Sequence, residues 1–364
     1  MNKKIKVLVV DDSAFMRQSI SFLLKEEPEI EVVGTAKNGK EAVEKVKQLN
    51  PDVVTLDVEM PVMNGLEALE IIMKESPTSV IMFSSLTSEG AEATLKALEL
   101  GAVDFLAKDN TTTHSTLEKI RNELIFKIKN FANKRSITQR LASIRRRPGG
   151  FTKTTTQAAP VSSGDKEKEV LSKNFKAIAI GISTGGPLTL NKVIPFIPAE
   201  IKLPIFIVQH MPPNFTASLA KRLNSASKVE VKEAEDGEEI RGGVVYVAKG
   251  GIHMNFVKHS TGKVTIRLNP QPANSLHKPS VDEMVSSAVD AYGNDLLGII
   301  MTGMGKDGLE GIKKLKAKRG YAVAQDKESC VVYGMPKAIV DAGLADVIAP
   351  IEKITEIITK VGLK

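Results

Sequence analysis

Ser183 lies in a run of small residues that directly follows an apolar segment, which is the pattern of a nucleophile turn. Residues 181–187 read GISTGGP, contain G-x-S-x-G and follow the apolar residues 177–180. A strand that ends in such a turn presents its serine hydroxyl at the carboxyl edge of a sheet. Two further apolar segments precede His210 and Asp307. Three strand ends therefore supply the serine, imidazole and carboxylate of a hydrolytic triad.

Each member of this set has a defined chemical role. Serine is a weak nucleophile until a base takes its proton, and His210 is the candidate base because histidine titrates near neutrality. Asp307 is the candidate that orients the imidazole. The order Ser, His, Asp differs from the Ser, Asp, His order of α/β-hydrolases, so the turn does not predict that fold. A purely structural His210 stays an alternative. So does a dinucleotide site, although Ser183 occupies the middle glycine position of G-x-G-x-x-G.

A second group of charged residues falls at strand ends in the first part of the chain. Asp11 and Asp12 follow the first predicted strand, Asp57 the third, Ser84 the fourth and Lys108 the fifth. Clustered carboxylates repel one another unless a cation lies among them, and Mg²⁺ prefers oxygen ligands of this kind. A cation, a lysine and one free carboxylate are sufficient for phosphoryl transfer to an aspartate.

The elements that position these residues alternate between β and α. The predicted strands of the first part cover residues 6–10, 31–35, 52–56, 80–84 and 103–107, separated by segments with helical apolar spacing. From residue 176 the alternation resumes, with strands near 177–180, 205–208, 297–302, 321–324 and 346–348. Strands at 244–248, 252–257 and 264–268 are predicted to follow one another as hairpins. We expect an α/β protein with doubly wound, mostly parallel sheets and a β-hairpin insertion.

The chain has 364 residues and a formal net charge of +7. Its basicity is local, because 13 of the 50 Lys/Arg but only 3 of the 43 Asp/Glu lie between residues 127 and 176. That segment predicts a basic flexible linker over 132–175, between domains at 1–131 and 176–364. Aromatic residues make up 4% and Trp is absent, which disfavours nucleic-acid binding. The single cysteine and the lack of a long apolar stretch predict a cytoplasmic protein without membrane insertion.

The first part of the chain resembles the receiver domain of response regulators. The resemblance rests on VVDDS at 9–13, LDVEMPVMNG at 56–65, Ser84-Ser85 and Ala107-Lys108. It implies a flavodoxin-like (βα)5 fold. The roles it implies are phosphorylation of Asp57, Mg²⁺ held by Asp11, Asp12, Asp57 and the Glu59 backbone carbonyl, and a switch formed by Ser84, Phe105 and Lys108. Asp109 departs from the family, which usually has proline there.

The second part resembles the catalytic domain of chemotaxis protein-glutamate methylesterases, the CheB family. The resemblance rests on GISTGGP at 181–187, QHMP at 209–212, HKPSVD at 277–282, MTGMGKDG at 301–308, AQD at 324–326 and YGMP at 333–336. It implies that Ser183 is the nucleophile, His210 the general base and Asp307 the orienting carboxylate. Backbone N–H groups near Thr184 and Met304 are candidate oxyanion donors. His253, His259 and His277 match no metal spacing and are expected in loops or the substrate cleft.

Together the two resemblances imply a phosphorylation-activated methylesterase. Its substrates would be glutamate γ-methyl esters, and also glutamines, on methyl-accepting chemotaxis receptors, and its phosphodonor would be the chemotaxis histidine kinase. Mg²⁺ would be required for phosphorylation and no cofactor for the esterase reaction. Two other classes stay open from the residues alone: a non-catalytic, phosphorylation-gated binding module, and a nucleic-acid-binding response regulator. No helix-turn-helix pattern supports the latter.

Overall fold

The computed structural model describes residues 4–108, 114–132 and 164–364. Contacts divide the chain into two units, Met1–Arg146 and Arg147–Lys364. Within the described residues, the first unit alternates strands and helices: β1 Ile5–Val10, α1 Ala14–Lys25, β2 Ile30–Ala36, α2 Gly39–Leu49, β3 Val53–Asp57, α3 Gly65–Glu75, β4 Ser79–Ser85, α4 Ser88–Leu100, β5 Asp104–Lys108 and α5 His114–Phe131.

The five strands of the first unit form one parallel sheet in the order β2-β1-β3-β4-β5. This is the flavodoxin-like order, and it places the ends of β1 and β3 side by side. Strands β1, β3 and β4 are almost entirely buried, as expected for a sheet covered on both faces. Side-chain caps start helices α1 to α4, and Asn64 forms a reciprocal capping box with Glu67 at the start of α3.

The second unit has a longer succession of elements within its described residues. They are α6 Gly164–Ser172, β6 Ala177–Ile182, α7 Gly186–Val193, β7 Ile205–Gln209, α8 Phe215–Ala226, β8 Glu230–Glu233, β9 Val244–Val247, β10 His253–Lys258, β11 Val264–Asn269, α9 Val281–Tyr292, β12 Leu296–Ile300, α10 Leu309–Ala317, β13 Tyr321–Gln325, α11 Met335–Asp341, β14 Val347–Ala349 and α12 Ile351–Gly362.

Seven of these strands form a parallel sheet in the order β14-β13-β12-β6-β7-β9-β8. The chain starts in the middle with β6, builds outward through β7, and later returns to the other side of β6 with β12. The strand order therefore reverses at β6. Ligands of open α/β sheets bind outside the carboxyl ends of the strands at such a switch point. The predicted α/β class, with its mostly parallel sheets, is confirmed.

The three strands predicted to follow one another as hairpins pair differently in the structure. Only β10 and β11 form an antiparallel hairpin, whereas β9 lies in the main sheet and pairs in parallel with β7 and β8. All four residues of β9 are buried, which is the pattern of an interior parallel strand rather than of a half-exposed hairpin strand. Strand β8 was not predicted, because this edge strand is short and reads EVKE with only Val231 buried.

Helix α6 occupies the C-terminal end of the predicted flexible linker and packs against other elements of the second unit, so this end is an ordered helix. Val170 is fully buried, Lys353 of α12 pairs with Glu167 at 2.6 Å, and the Tyr321 hydroxyl donates to Glu169 at 2.5 Å. The charged run at 166–169 is thus the outer face of a packed helix. The rest of the predicted linker, residues 133–163, lies outside the described residues, as does Asp109. Among the helices that are described, none has the length and hydropathy needed to cross a bilayer.

Candidate active site and carboxylate cluster

The turn after β6 holds Ser183 through its backbone. The Ser183 N–H donates to the Thr302 carbonyl at 2.9 Å, and the Ser183 carbonyl accepts from the Gly186 N–H at 2.8 Å and from Gln209 Nε2 at 3.0 Å. Gly185 has φ +75°, a left-handed conformation that glycine adopts without a steric penalty. The serine therefore occupies a fixed backbone position at the carboxyl edge of the sheet.

His210 lies at the neighbouring strand end. β6 and β7 pair with Ile182 opposite Gln209, so Ser183 and His210 are the next residues on adjacent strands. His210 Nε2 lies 2.7 Å from Asp307 Oδ2, while Nδ1 is buried and has no hydrogen-bond partner among the residues the structure describes. Because Nε2–H donates to the carboxylate, Nδ1 carries the lone pair and is the nitrogen available to accept a proton.

Asp307 is held by the first turn of α9. Its Oδ1 accepts from the Ser280 hydroxyl at 3.0 Å and from the Asp282 N–H at 2.9 Å. Its Oδ2 accepts from the Val281 N–H at 2.8 Å, in addition to His210. A helix N-terminus has unsatisfied N–H groups and a partial positive charge, so it suits a carboxylate. Asp307 thus has a defined orientation toward the imidazole.

The charge state of Asp307 follows from these contacts. Burial raises the pKa of Asp307, but the hydrogen bond and charge of His210 and the backbone donors of Asp282 and Val281 outweigh burial and hold the pKa below its usual value. The carboxylate is therefore ionised at neutral pH. At the neighbouring Asp282, burial is the main cause that raises the pKa to about 6, and the charge of Asp307 adds to it.

The loop of residues 301–308 passes directly beside the serine. A Cβ added to Gly303 would lie 2.8 Å from the Ser183 Cβ, so glycine permits this close approach. The Met304 N–H on the same loop donates to no backbone carbonyl in the described part of the chain. Thr184, the residue after the serine, is buried. Two loops therefore bring the backbones of Thr184 and Met304 next to the serine.

Two of the other three histidines of the second unit lie close to this site. The His277 ring stacks on the His210 ring, with centroids 4.1 Å apart and an interplanar angle of 14°. His253 is the first residue of β10 and is completely buried, so its expected place in a loop or cleft is wrong. Its Nδ1 accepts from the Ser280 N–H at 3.2 Å. His259 is exposed and contacts the Thr265 hydroxyl at 3.0 Å.

In the first unit, the structure brings together the carboxylates predicted from the strand ends. One ligand oxygen from each of Asp11, Asp12 and Asp57 lies within 4.8 Å of the others, an arrangement that fits Mg²⁺. Lys108 Nζ lies 2.7 Å from Asp57 Oδ2 and 2.9 Å from Asp11 Oδ2. The lysine therefore offsets part of the repulsion within the cluster.

The pKa values reflect this crowding. Burial raises the pKa of Asp57 to about 6, although Lys108 lowers it, and the charge of Asp11 adds to the increase. Burial lowers the pKa of Lys108, but hydrogen bonds to Asp57 and Asp11 more than compensate, so its pKa lies above the usual value. A divalent cation at this site would favour the ionised form of Asp57.

The remaining predicted residues of the first unit surround this cluster. Ser84 is fully buried at the end of β4, and its hydroxyl donates to the Gly90 carbonyl at 2.9 Å. Phe105 lies on β5 with 7% exposure. Glu59 follows Asp57 by two residues, and its backbone hydrogen-bonds that carboxylate. The Ser85 hydroxyl donates to Glu59 Oε1 at 3.4 Å.

Comparison with known proteins agrees with this two-part arrangement. The family model for the CheB methylesterase matches residues 178–358, and the model for the response regulator receiver domain matches residues 7–120. A protein-glutamate methylesterase/protein-glutamine glutaminase of Pyrococcus horikoshii is 45% identical over 360 residues, which cover 99% of this chain and 94% of the relative. The chain belongs to the CheB methylesterase family.

Two further comparisons support membership in the CheB family. The first extends the similarity over nearly the whole chain, and the second concerns the fold of the second unit. Protein-glutamate methylesterase/protein-glutamine glutaminase 1 of Oleidesulfovibrio alaskensis is 48% identical over 370 residues, covering 97% of this chain and 98% of the relative. The crystal structure of the Thermotoga maritima CheB methylesterase catalytic domain is 44% identical with a TM-score of 0.50, and the match covers 52% of this chain and all of that one.

Sequence reasoning missed several residues of this CheB-family site. Ser280, Gln209 and Thr302 hold Asp307 and the nucleophile turn but were not singled out. For Ser280 a signal was present, because Ser280 and Glu283 form the S-x-x-E pattern of a capping box at the start of α9. For Gln209 and Thr302 the contacts are made across strand ends, and no local pattern indicates them.

Proposed function

We propose that this chain hydrolyses glutamate γ-methyl esters on methyl-accepting chemotaxis receptors, releasing methanol, and deamidates receptor glutamines. The observation that carries the proposal is the arrangement of three side chains at one sheet edge. His210 bonds Asp307 through Nε2, keeps a buried, available Nδ1, and lies at the strand end next to Ser183. This activity belongs to chemotactic adaptation, in which receptor methylation is reset.

The first half of the reaction transfers the acyl group to the serine. His210 Nδ1 accepts the proton of the Ser183 hydroxyl as its oxygen attacks the ester carbonyl. The backbone N–H groups of Thr184 and Met304 donate to the oxyanion that develops. His210 then passes the proton to the departing methoxide, which leaves as methanol. Asp307 stays ionised and stabilises the imidazolium throughout.

The second half restores the enzyme. A water molecule loses its proton to His210 Nδ1 and attacks the acyl-serine carbonyl, and the proton then returns to the Ser183 oxygen as that bond breaks. The receptor keeps a free glutamate. With a glutamine substrate the leaving group is ammonia, and the same proton transfers apply. The reaction needs no cofactor, because His210 carries every proton that moves between the serine, the leaving group and water.

We propose that phosphorylation of Asp57 by the chemotaxis histidine kinase raises this activity. Mg²⁺, held by Asp11, Asp12, Asp57 and the Glu59 carbonyl, would supply charge neutralisation during phosphoryl transfer. Asp57 would attack the phosphorus of the kinase's phosphohistidine, the bond between that phosphorus and the histidine nitrogen would break, and Lys108 would pair with the transferred group. Ser84, near the end of β4, and Phe105, on β5, would change conformation in response to phosphorylation.

The direct test measures methanol released from methylated receptor membranes by the full chain, with and without a small phosphodonor. We expect release, an increase with the phosphodonor that Asp57→Asn abolishes, and loss of release in Ser183→Ala. Ser287→Ala, on the surface of α9, is the matched control. Release that persists in Ser183→Ala would contradict the nucleophile assignment. Receptor binding without any release by the wild-type chain would instead favour a non-catalytic binding module.

A further inference from the structure

We propose that His253 is a positioning residue for the esterase reaction. It accepts the Ser280 N–H and thereby fixes the first turn of α9, which in turn holds Asp307 against His210. This inference rests on the proposed role of Asp307 as the carboxylate that orients the general base. His253 itself lies on the hairpin, outside the sheet that supplies Ser183, His210 and Asp307.

The contact to Ser280 defines the state of the His253 ring. Nδ1 accepts the Ser280 N–H at 3.2 Å, so it carries a lone pair and the proton of the neutral ring lies on Nε2. The side chain is fully buried, and burial lowers the pKa of His253, an effect to which the charge of Lys278 adds. A hydrogen bond to the Pro272 backbone and the charges of Glu283 and Asp307 act in the opposite direction without outweighing burial. The neutral ring therefore persists at neutral pH.

Ser280 connects this ring to the triad carboxylate. It is the N-cap of α9, with extended backbone angles φ −106° and ψ 138°. Its hydroxyl donates to Asp307 Oδ1 at 3.0 Å and accepts from the Glu283 N–H at 3.4 Å. The direction of the hydroxyl depends on the orientation of the Ser280 backbone, which the bond to His253 fixes. The Val281 and Asp282 N–H groups that also hold Asp307 follow directly in the same turn.

The hairpin provides a rigid support for this contact. Met254, next to His253, is completely buried in the same apolar core as Val281 and Met284 of α9. Asn255 Nδ2 donates to the Glu283 carbonyl at 3.5 Å. Strand β10 and the start of α9 are therefore packed together next to His253. A side chain without an acceptor at Nδ1 would leave the buried Ser280 N–H unsatisfied, which favours a shift of the turn.

The test compares three variants of the full chain by the rate at which a fluorophosphonate labels Ser183 and by kcat and KM for methanol release. His253→Phe keeps an aromatic ring but removes the acceptor. His253→Asn retains an acceptor oxygen near the position of Nδ1. His259→Phe, at the exposed histidine on the same hairpin, is the control. Fluorophosphonate labelling reports activation of Ser183 without a receptor substrate, so failure of this inference is distinguishable from failure of the proposed function.

We expect His253→Phe to lower both the labelling rate and kcat about 10- to 100-fold, as loss of a supporting hydrogen bond does at other sites, with KM unchanged. His253→Asn should lie within about threefold of the wild-type chain, and His259→Phe should be indistinguishable from it. A folded His253→Phe with wild-type labelling would overturn the proposal. So would a His253→Asn variant as defective as His253→Phe, because the acceptor would then not be the cause.

A measurement on the wild-type chain keeps the proposal testable if His253→Phe does not fold. Nitrogen-15 chemical shifts of the histidine rings distinguish a protonated Nδ1 from an unprotonated one. We expect His253 at pH 7 to be neutral, with the proton on Nε2. Finding a proton on His253 Nδ1, in either the neutral or the charged ring, would exclude the bond from Ser280 and overturn the inference.

Discussion

Gly186 offers the sharpest test of how the nucleophile turn is held. A Cβ built on Gly186 would lie 1.7 Å from Gln209 Oε1 and 2.8 Å from its Cδ, which is far inside contact distance. The Gln209 side chain is 2% exposed, so it has little room to move. Its Nε2 donates to the carbonyls of Ser183 at 3.0 Å and His210 at 3.2 Å. Gly186→Ala should therefore displace Gln209 and break both bonds.

The expected cost follows from those two bonds. Each buried hydrogen bond is worth about 0.5–1.5 kcal/mol net, and each carbonyl left unsatisfied adds to the loss, so Gly186→Ala should destabilise the second unit by about 2–4 kcal/mol. If the Gln209 side chain did not obstruct the new methyl group, Gly186→Ala would be favourable, because alanine exceeds glycine in helix propensity by up to about 1 kcal/mol. In a Gln209→Ala background, Gly186→Ala should therefore be neutral or slightly stabilising.

The assay is a double-mutant cycle. Hydrogen exchange of the buried β6 and β12 amides measures the free energy of opening of the second unit, separately from the receiver. The wild-type chain, the two single variants and the double variant give a coupling energy, which we expect to be at least about 2 kcal/mol. Gly186→Ala alone should also slow fluorophosphonate labelling of Ser183. Additivity of the two changes within about 0.5 kcal/mol would refute the reasoning.

Four further predictions concern other parts of the molecule. Asp307→Asn should lower kcat for methanol release by about 10³- to 10⁴-fold with little change in KM, as loss of the orienting carboxylate does in serine proteases. Asp290→Asn, at the exposed end of α9, is the control and should leave kcat unchanged. Val62 has φ +71° and is 81% exposed, so Val62→Gly should raise the urea stability of the receiver by about 1 kcal/mol. Burial lowers the pKa of His253 in the folded chain, so as pH falls below the ordinary histidine pKa of 6.5 the unfolded chain binds a proton before the folded chain does. The folded state therefore loses stability below pH 6.5. Between pH 7.5 and 5.5 the Tm of His253→Asn should fall less than the Tm of the wild-type chain. Lys108→Gln should keep basal methanol release and lose its stimulation by a phosphodonor, and full stimulation in this variant would contradict the role of the lysine.

Much of the fold was predictable because the buried strands are continuous apolar runs followed by turns. Nearly all interior strands were located to within one or two residues, and the strand ends indicated where Ser183, His210 and Asp57 lie. The two elements that were not predicted share a cause. Strand β8 and helix α6 are charged segments that are ordered by their neighbours, and no local apolar pattern marks them.

The supporting contacts of the site were less accessible from sequence. Asp307 is held mainly by backbone N–H groups, which every residue except proline possesses, so the identity of Val281 or Asp282 does not indicate the bond. The burial of His253 depends on how the hairpin packs on α9, and the short stretch of sequence around His253 gives no information about that packing. The polar support of Gln209 likewise requires knowledge of which strand lies next to β6.

The topology also explains why the residues of the proposed triad occur in the order Ser, His, Asp. Strand β6 lies at the switch point, so the first connection leads to β7 on one side, and only after β8, β9 and the hairpin does the chain return to β12 on the other side. The serine therefore comes from the centre, the histidine from the next strand in sequence and the aspartate from the late strand. The His210 imidazole faces Asp307 through Nε2, which is the reverse of the serine-protease ring orientation, where Nδ1 faces the aspartate. Chain order follows from strand order, so a candidate hydrolytic triad can be recognised by its geometry even where the sequence motif alone is ambiguous.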